Sequence, residues 1–167
     1  MDTLTIVLRV LHIAFGTFWA GTTFFSALIL EPRLRRMGPN FQNPVMNTLM
    51  PVITPLMMLS SLIVIGTGIA MTFMLWSSLD TFLTNTSDWI LFIGFIFTIG
   101  VAVVGFGFLA PTGMKLSKFA KSFEGHNPDS DKASQLTRLS AKIETLSRLN
   151  FILILLAVCA MGFLRYL

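Results

Sequence analysis

The sequence predicts an all-α fold, an integral membrane four-helix bundle with a cytoplasmic helical hairpin extending the third and fourth spans. Three observations carry this expectation. The first is composition: 54% of the 167 residues are hydrophobic and only 12% are charged, with a mean hydropathy of +0.76. A soluble chain of this length cannot enclose that much apolar surface in one core. The second is the presence of four apolar stretches, residues 4–30, 51–76, 89–110 and 149–164. Hydrocarbon about 30 Å thick needs roughly 20 such residues per helix. Four segments are too few for a closed barrel, so only helices can satisfy the backbone in lipid. The third is where the basic residues fall.

The first connection holds Arg33, Arg35 and Arg36, and the third holds Lys115, Lys118, Lys121, Lys132, Arg138 and Lys142, with Arg148 at the next helix entrance. The second connection carries Asp80 and Asp88 and no Lys or Arg. By the positive-inside rule the first and third connections are cytoplasmic and both termini lie outside. Trp76, Trp89 and Tyr166 then fall at the outer boundary, where an interfacial aromatic belt belongs. The net charge of +4 is thereby explained by orientation, with anionic lipid as an added attraction, and no nucleic-acid partner is expected. The expected location is a bacterial or archaeal cell membrane, in contact with the bilayer. The N-terminus lacks the basic n-region and cleavage site of a signal peptide, so the first helix is expected in the mature protein.

Within 4–30, the helical period aligns Arg9, His12, Gly16, Ala20, Thr23 and Ala27 on one stripe. A cation, an imidazole and a run of small residues on one face describe a helix turned toward its neighbours. Pro32 is expected to end this helix, with turns at Gly38-Pro39 and Asn43-Pro44 and a short interfacial helix over 45–50. Pro51 and Pro55 suit the first turn of the second span, which then offers Ser60, Ser61, Gly66, Thr67, Gly68 and Ala70 for close contact. The third span repeats the device with Gly94, Thr98, Ala102 and Gly105, and Gly107, Pro111 and Gly113 are expected to kink its end. Over 113–148, Leu116, Phe119, Ala120 and Phe123 face Leu136, Leu139, Ile143 and Leu146 across a polar turn, the seam of a helical hairpin.

Ionisable groups at membrane depth are costly and mark functional candidates. His12 is therefore the leading candidate. A neutral imidazole ligates haem iron, with Arg9 available to a propionate and Gly16 and Trp19 beside it. The alternative is a histidine hydrogen-bonded to a Ser/Thr or carbonyl across the bundle, with Arg9 snorkelling to headgroups. His126, the only other histidine, falls in the cytoplasmic turn. A bis-histidine haem would thus need His12 from two protomers, or a methionine opposite. At the depth of His12 lie Met71, Met74, Cys159 and Met161, a soft set that with His12 would suit copper. The lone Cys159 allows no intrachain disulfide. Glu31 and Arg148 share the cytoplasmic boundary and are expected to pair.

The stretch RVLHIAFGTFWAGTTFF, followed by EPRLRRMGP, resembles the opening of the CopD-like and DUF2269-like small bacterial membrane proteins. There a Leu-His pair precedes a Trp-x-Gly and a Phe-rich helix end. The closing part is also similar, with a basic hairpin running into Arg148-Leu149-Asn150. More distantly the chain is similar to the HemJ-type protoporphyrinogen oxidases, four-helix proteins with a first-helix histidine and haem b; His12, Trp19, Pro32, Arg33 and Leu34 match. Where those have aromatic residues and a second histidine, this chain has Leu34-Arg35-Arg36. The resemblance implies a four-helix membrane fold and a first-helix haem ligand. The expectation is a membrane protein binding haem b through His12 for electron transfer or haem-linked redox chemistry, as a homo-oligomer or with partner subunits. The alternatives are a non-enzymatic accessory or scaffold subunit, and copper handling at the outer side.

Overall fold

The computed structural model describes residues 3–75, 85–122 and 130–163. It is helical nearly throughout. Helix α1 (Thr3–Phe25) passes through a π-helical turn (Ser26–Leu30) into α2 (Glu31–Met37). After Gly38 comes the 37-residue α3 (Pro39–Leu75). Helix α4 (Thr86–Ala102) continues through a second π-helical stretch (Val103–Leu109) into α5 (Ala110–Lys121), and α6 (Ser130–Phe163) closes the chain. Four continuous helical segments are long and apolar enough to cross a membrane: Thr3–Leu34, Thr48–Met74, Thr86–Phe119 and Ser130–Phe163. Trp76, Asp80, Phe123, His126 and Tyr166 lie outside the described residues.

The helices associate as two antiparallel pairs, α1 with α3 and α4 with α6. Small residues set both seams. In the first pair His12 meets Gly68 and Gly16 meets Val64, and Ala20, Thr23, Ser60 and Ser61 are buried. Ser60 and Ser61 turn their hydroxyls back onto the Leu56 and Met58 carbonyls of their own helix, both at 2.8 Å. Each thus presents little more than a methylene to the interface. In the second pair Gly94 meets Ala160 and Met161, Gly100 meets Leu153, and Gly105 meets Asn150. The expected stripe on α1 is therefore real, with the exception that Arg9 is exposed. Gly66, expected at a contact, faces outward with open space beside its Cα.

The two pairs meet at one core. Trp19 and Ala20 of α1, Val64 of α3, Val101 of α4 and Ile154 of α6 pack together, so every long helix contributes to it. Phe24 and Phe151 add an edge-to-face contact at 5.3 Å between ring centroids. The outward faces are apolar, with Ile13, Leu28, Phe73, Ile96 and Ile152 exposed, a surface suited to hydrocarbon.

The first connection differs from expectation. The helix does not end at Pro32, and Asn43-Pro44 is not a turn: α2 continues past Pro32, and α3 runs through Pro44, Pro51 and Pro55. The single break is Gly38, whose φ of +83° is the left-handed conformation that glycine adopts without a Cβ penalty. The continuation past Pro32 has a local cause. A proline inside an α-helix loses its N–H bond and crowds the carbonyl four residues back. The π turn immediately before Pro32 widens the helix there, and the Glu31 N–H bonds five residues back to the Ser26 carbonyl. The same arrangement recurs at Pro111, preceded by the second π stretch, where the Ala110 N–H bonds to the Gly105 carbonyl. Where the sequence suggests a kink, near Gly107 and Pro111, the helix carries this π-helical stretch. The hairpin seam is present: Leu116, Phe119, Leu136, Leu139, Ile143 and Leu146 are all half-buried, and α5 packs on α6.

Glu31 and Arg148 do not pair as expected. Arg148 binds Glu144 one turn earlier on its own helix at 2.6 Å, while Glu31 Oε1 accepts a hydrogen bond from Ser147 Oγ at 3.0 Å. Arg148 points away from the bundle, and an i,i+4 partner is nearer to an exposed guanidinium than a group across the interface.

Close approach at Gly94 is directly testable. A Cβ there would stand 3.2 Å from Ala160 Cβ and from Met161 Cε. Gly94→Val should destabilise the protein by about 1–3 kcal/mol, whereas Gly66→Ala, facing open space, should be neutral or stabilising by up to about 1 kcal/mol. Thermal midpoints of the two variants in the same detergent check the contrast.

Candidate functional site

The site is built where α1 and α3 pack around an imidazole. His12 is half-buried, and its Nδ1 lies 3.0 Å from Thr67 Oγ1. The next residue on α3 is Gly68, where a Cβ would come within 3.3 Å of His12 Cε1. The missing side chain is what lets the ring lie against the α3 backbone. An alanine there would force the imidazole to shift by a few tenths of an ångström.

The hydrogen-bond network assigns the protonation of the ring. Thr67 Oγ1 is 2.6 Å from the Ile63 carbonyl and 3.2 Å from the Val64 carbonyl. Its single proton is directed to its own helix, so it offers His12 a lone pair. His12 Nδ1 must then carry a proton and donate to Thr67. The neutral ring accordingly keeps its lone pair on Nε2. This is the arrangement found behind metal-ligating histidines, in which the non-ligating ring nitrogen donates to a fixed acceptor that sets the tautomer and orients the ring.

Around the imidazole, the structure sorts the sequence-based candidates into two groups. Gly16 lies one turn along α1, 3.8 Å from a Val64 methyl when a Cβ is placed on it. Trp19, two turns along, is only 5% exposed and forms the centre of the four-helix core. Arg9 is exposed on the preceding turn. Met71 follows Thr67 by one turn of α3 and is half-buried, while Met74 is exposed. Cys159 is exposed on α6. Met161 packs its thioether onto Gly94 of α4, with Cε 3.2 Å and Sδ 4.0 Å from where a Cβ would stand. Its sulfur therefore serves the other helix pair. Among the described residues no group of three or more His, Cys, Asp or Glu side chains gathers to hold a metal ion.

Two residues were undervalued from sequence. Thr67 was expected only as a small residue for helix contact, yet it is the partner of His12. The available signal was its position in the Gly66-Thr67-Gly68 run, opposite His12 if the two spans are antiparallel. Asn150, an amide at the entrance of the last apolar run, reads in the sequence as a helix-end residue, yet it is buried.

A double-mutant cycle measures the pair. Thr67→Val removes the hydroxyl that accepts from the half-buried His12 ring, which should cost about 0.5–1.5 kcal/mol. In a His12→Leu background the same change should be nearly neutral. Denaturation of the four proteins in mild detergent gives the coupling, and additivity would show that the two side chains do not interact.

No family model, curated protein or solved structure matches this chain.

Proposed function

We propose that this is an integral membrane protein, with its basic end in the cytoplasm and both termini outside, that binds haem b through His12 for electron transfer or haem-linked redox chemistry. The observation that carries the reading is the His12–Thr67 hydrogen bond at 3.0 Å. It leaves Nε2 as the donor atom and fixes the ring against Gly68, so the ligand would be held in place before it meets iron. Haem, when bound, would supply one-electron redox chemistry. The chain's own contribution is to orient the imidazole and to keep its N–H on Nδ1, where Thr67 Oγ1 accepts it.

The reading asks for a second axial ligand from outside His12. A second protomer presenting its own His12, or a methionine opposite, would supply it. The reading that the protein is an accessory or scaffold subunit draws on a different observation: Gly21, Gly66 and Gly107 are outward-facing with open space beside them, which suits close helix–helix association in lipid. The two readings are compatible, since both place a partner against the outer surface of the bundle. Copper handling draws less support, because Met161 is committed to Gly94 and Cys159 and Met74 are exposed.

The deciding experiment is the absorption spectrum of the full chain purified from haem-replete cells. A Soret band should be present, lost in His12→Ala, and retained about ten- to a hundredfold less tightly in Thr67→Val. A colourless wild-type preparation from such cells would overturn the haem reading.

A further inference from the structure

Exposed basic side chains of the bundle gather in one band of height. Two contacts between helices fix the register there: Asn150 of α6 lies beside Gly105, and Ser147 bonds to Glu31 at 3.0 Å. Measured from Asn150 toward the basic end at about 1.5 Å per residue, Arg33 stands about 8 Å out. Arg36 and Lys142 stand about 12 Å out, and Lys115, Arg138 and Lys118 follow at about 15–20 Å. All six are exposed, and they are spread over α2, α5 and α6. None of the six pairs with an acidic side chain among the described residues. Glu144, which shares the band, is bonded to Arg148 at 2.6 Å.

The height of this belt matches one layer of a bilayer. Trp89, half exposed in the first turn of α4, marks the far interface. It precedes Gly105 by sixteen residues, or about 24 Å. Hydrocarbon about 30 Å thick, measured from Trp89, therefore ends about 6 Å beyond Gly105. Headgroups occupy about the next 5–8 Å, which is the level of Arg33, Arg36 and Lys142. Lys115, Arg138 and Lys118 lie above that layer, within the Debye length of about 8 Å at physiological salt. A soluble polyanion or an acidic protein would meet one side of the bundle, whereas a bilayer presents phosphates at this height all round. We propose that Arg33, Arg36 and Lys142, reinforced by Lys115, Lys118 and Arg138, bind the phosphate groups of anionic phospholipids and select them over zwitterionic ones. This selection is independent of haem and rests only on the bundle crossing the bilayer.

Lipid contact can be measured directly. The full-length chain is placed in phosphatidylcholine bilayers carrying traces of spin-labelled phosphatidylglycerol or spin-labelled phosphatidylcholine. Electron spin resonance then gives the fraction of each label held at the protein surface. Phosphatidylglycerol should associate about fivefold more strongly, the factor expected for one basic side chain beside an acidic headgroup. The preference should fall as sodium chloride is raised. Arg33→Gln, Arg36→Gln and Lys142→Gln together should abolish it while leaving phosphatidylcholine contact unchanged, which shows the bundle intact. Lys115→Gln, Lys118→Gln and Arg138→Gln together remove the same charge but should leave most of the preference, because those groups act through screened solvent. Equal association of the two lipids with the wild-type chain, or a preference that survives the first triple variant, would overturn the proposal. Should that variant fail to insert, Lys142→Gln alone must weaken the preference, and a value equal to wild type refutes it. If neither label were held at the surface, the crossing of the bilayer would fall together with the belt.

Discussion

Two helices can bring their backbones together only where the side chains between them are small, and this constraint organises the molecule. In a bilayer no hydrophobic gain draws helices out of lipid, so contact must come from packing and polar pairing. The chain meets the constraint twice, once with Gly16, Ala20, Ser60, Ser61 and Gly68 and once with Gly94, Gly100 and Gly105. The serines and threonines in these seams mostly satisfy themselves within their own helices. Thr23, Thr67, Thr98 and Thr112 all donate to carbonyls one turn back. Their polarity is thereby spent locally, and what crosses the seam is shape. Thr67 is the exception with a second role, because its remaining lone pair reaches across to His12.

The two halves of the chain solve a second problem alike. Each first helix continues beyond its apolar span, and each meets a proline there, Pro32 or Pro111. Each carries a π-helical stretch ending two residues before that proline. The wider turn absorbs the clash that would otherwise end the helix. It also alters which side chains face the bundle beyond that point. Glu31 is turned toward Ser147 rather than toward Arg148, and Gly105 is brought to Asn150. A local backbone adjustment thus sets the polar interior at the basic end.

This division also explains what was legible in the sequence. The number of long helices, their approximate limits and the small-residue faces follow from hydropathy and from the helical period, both of which survive any detail of packing. The stripe through His12, Gly16, Ala20 and Thr23 was legible for that reason. The continuation through Pro32 and Pro44 was not, because proline and glycine–proline pairs are strong local signals for a break, and a π turn has no comparable signature. The Glu31–Arg148 pairing was inferred from shared depth alone. Depth does not specify which way a side chain points, and Arg148 finds Glu144 on its own helix instead. Asn150 was illegible as a buried group because a single amide at the entrance of an apolar run reads equally well as a helix-end residue.

His12 joins these strands, since the haem reading rests on the state of one imidazole. Everything proposed for it depends on Nδ1 carrying the proton that Thr67 accepts, with Nε2 left bare. That claim is open to direct measurement without any cofactor. Nitrogen NMR of the haem-free protein labelled at its two histidines, with His12 assigned by its loss in His12→Leu, reports which ring nitrogen is protonated. The account predicts a neutral ring with a protonated Nδ1 and an unprotonated Nε2, and a change in that pattern in Thr67→Val. A proton on Nε2 in the wild-type protein would contradict it.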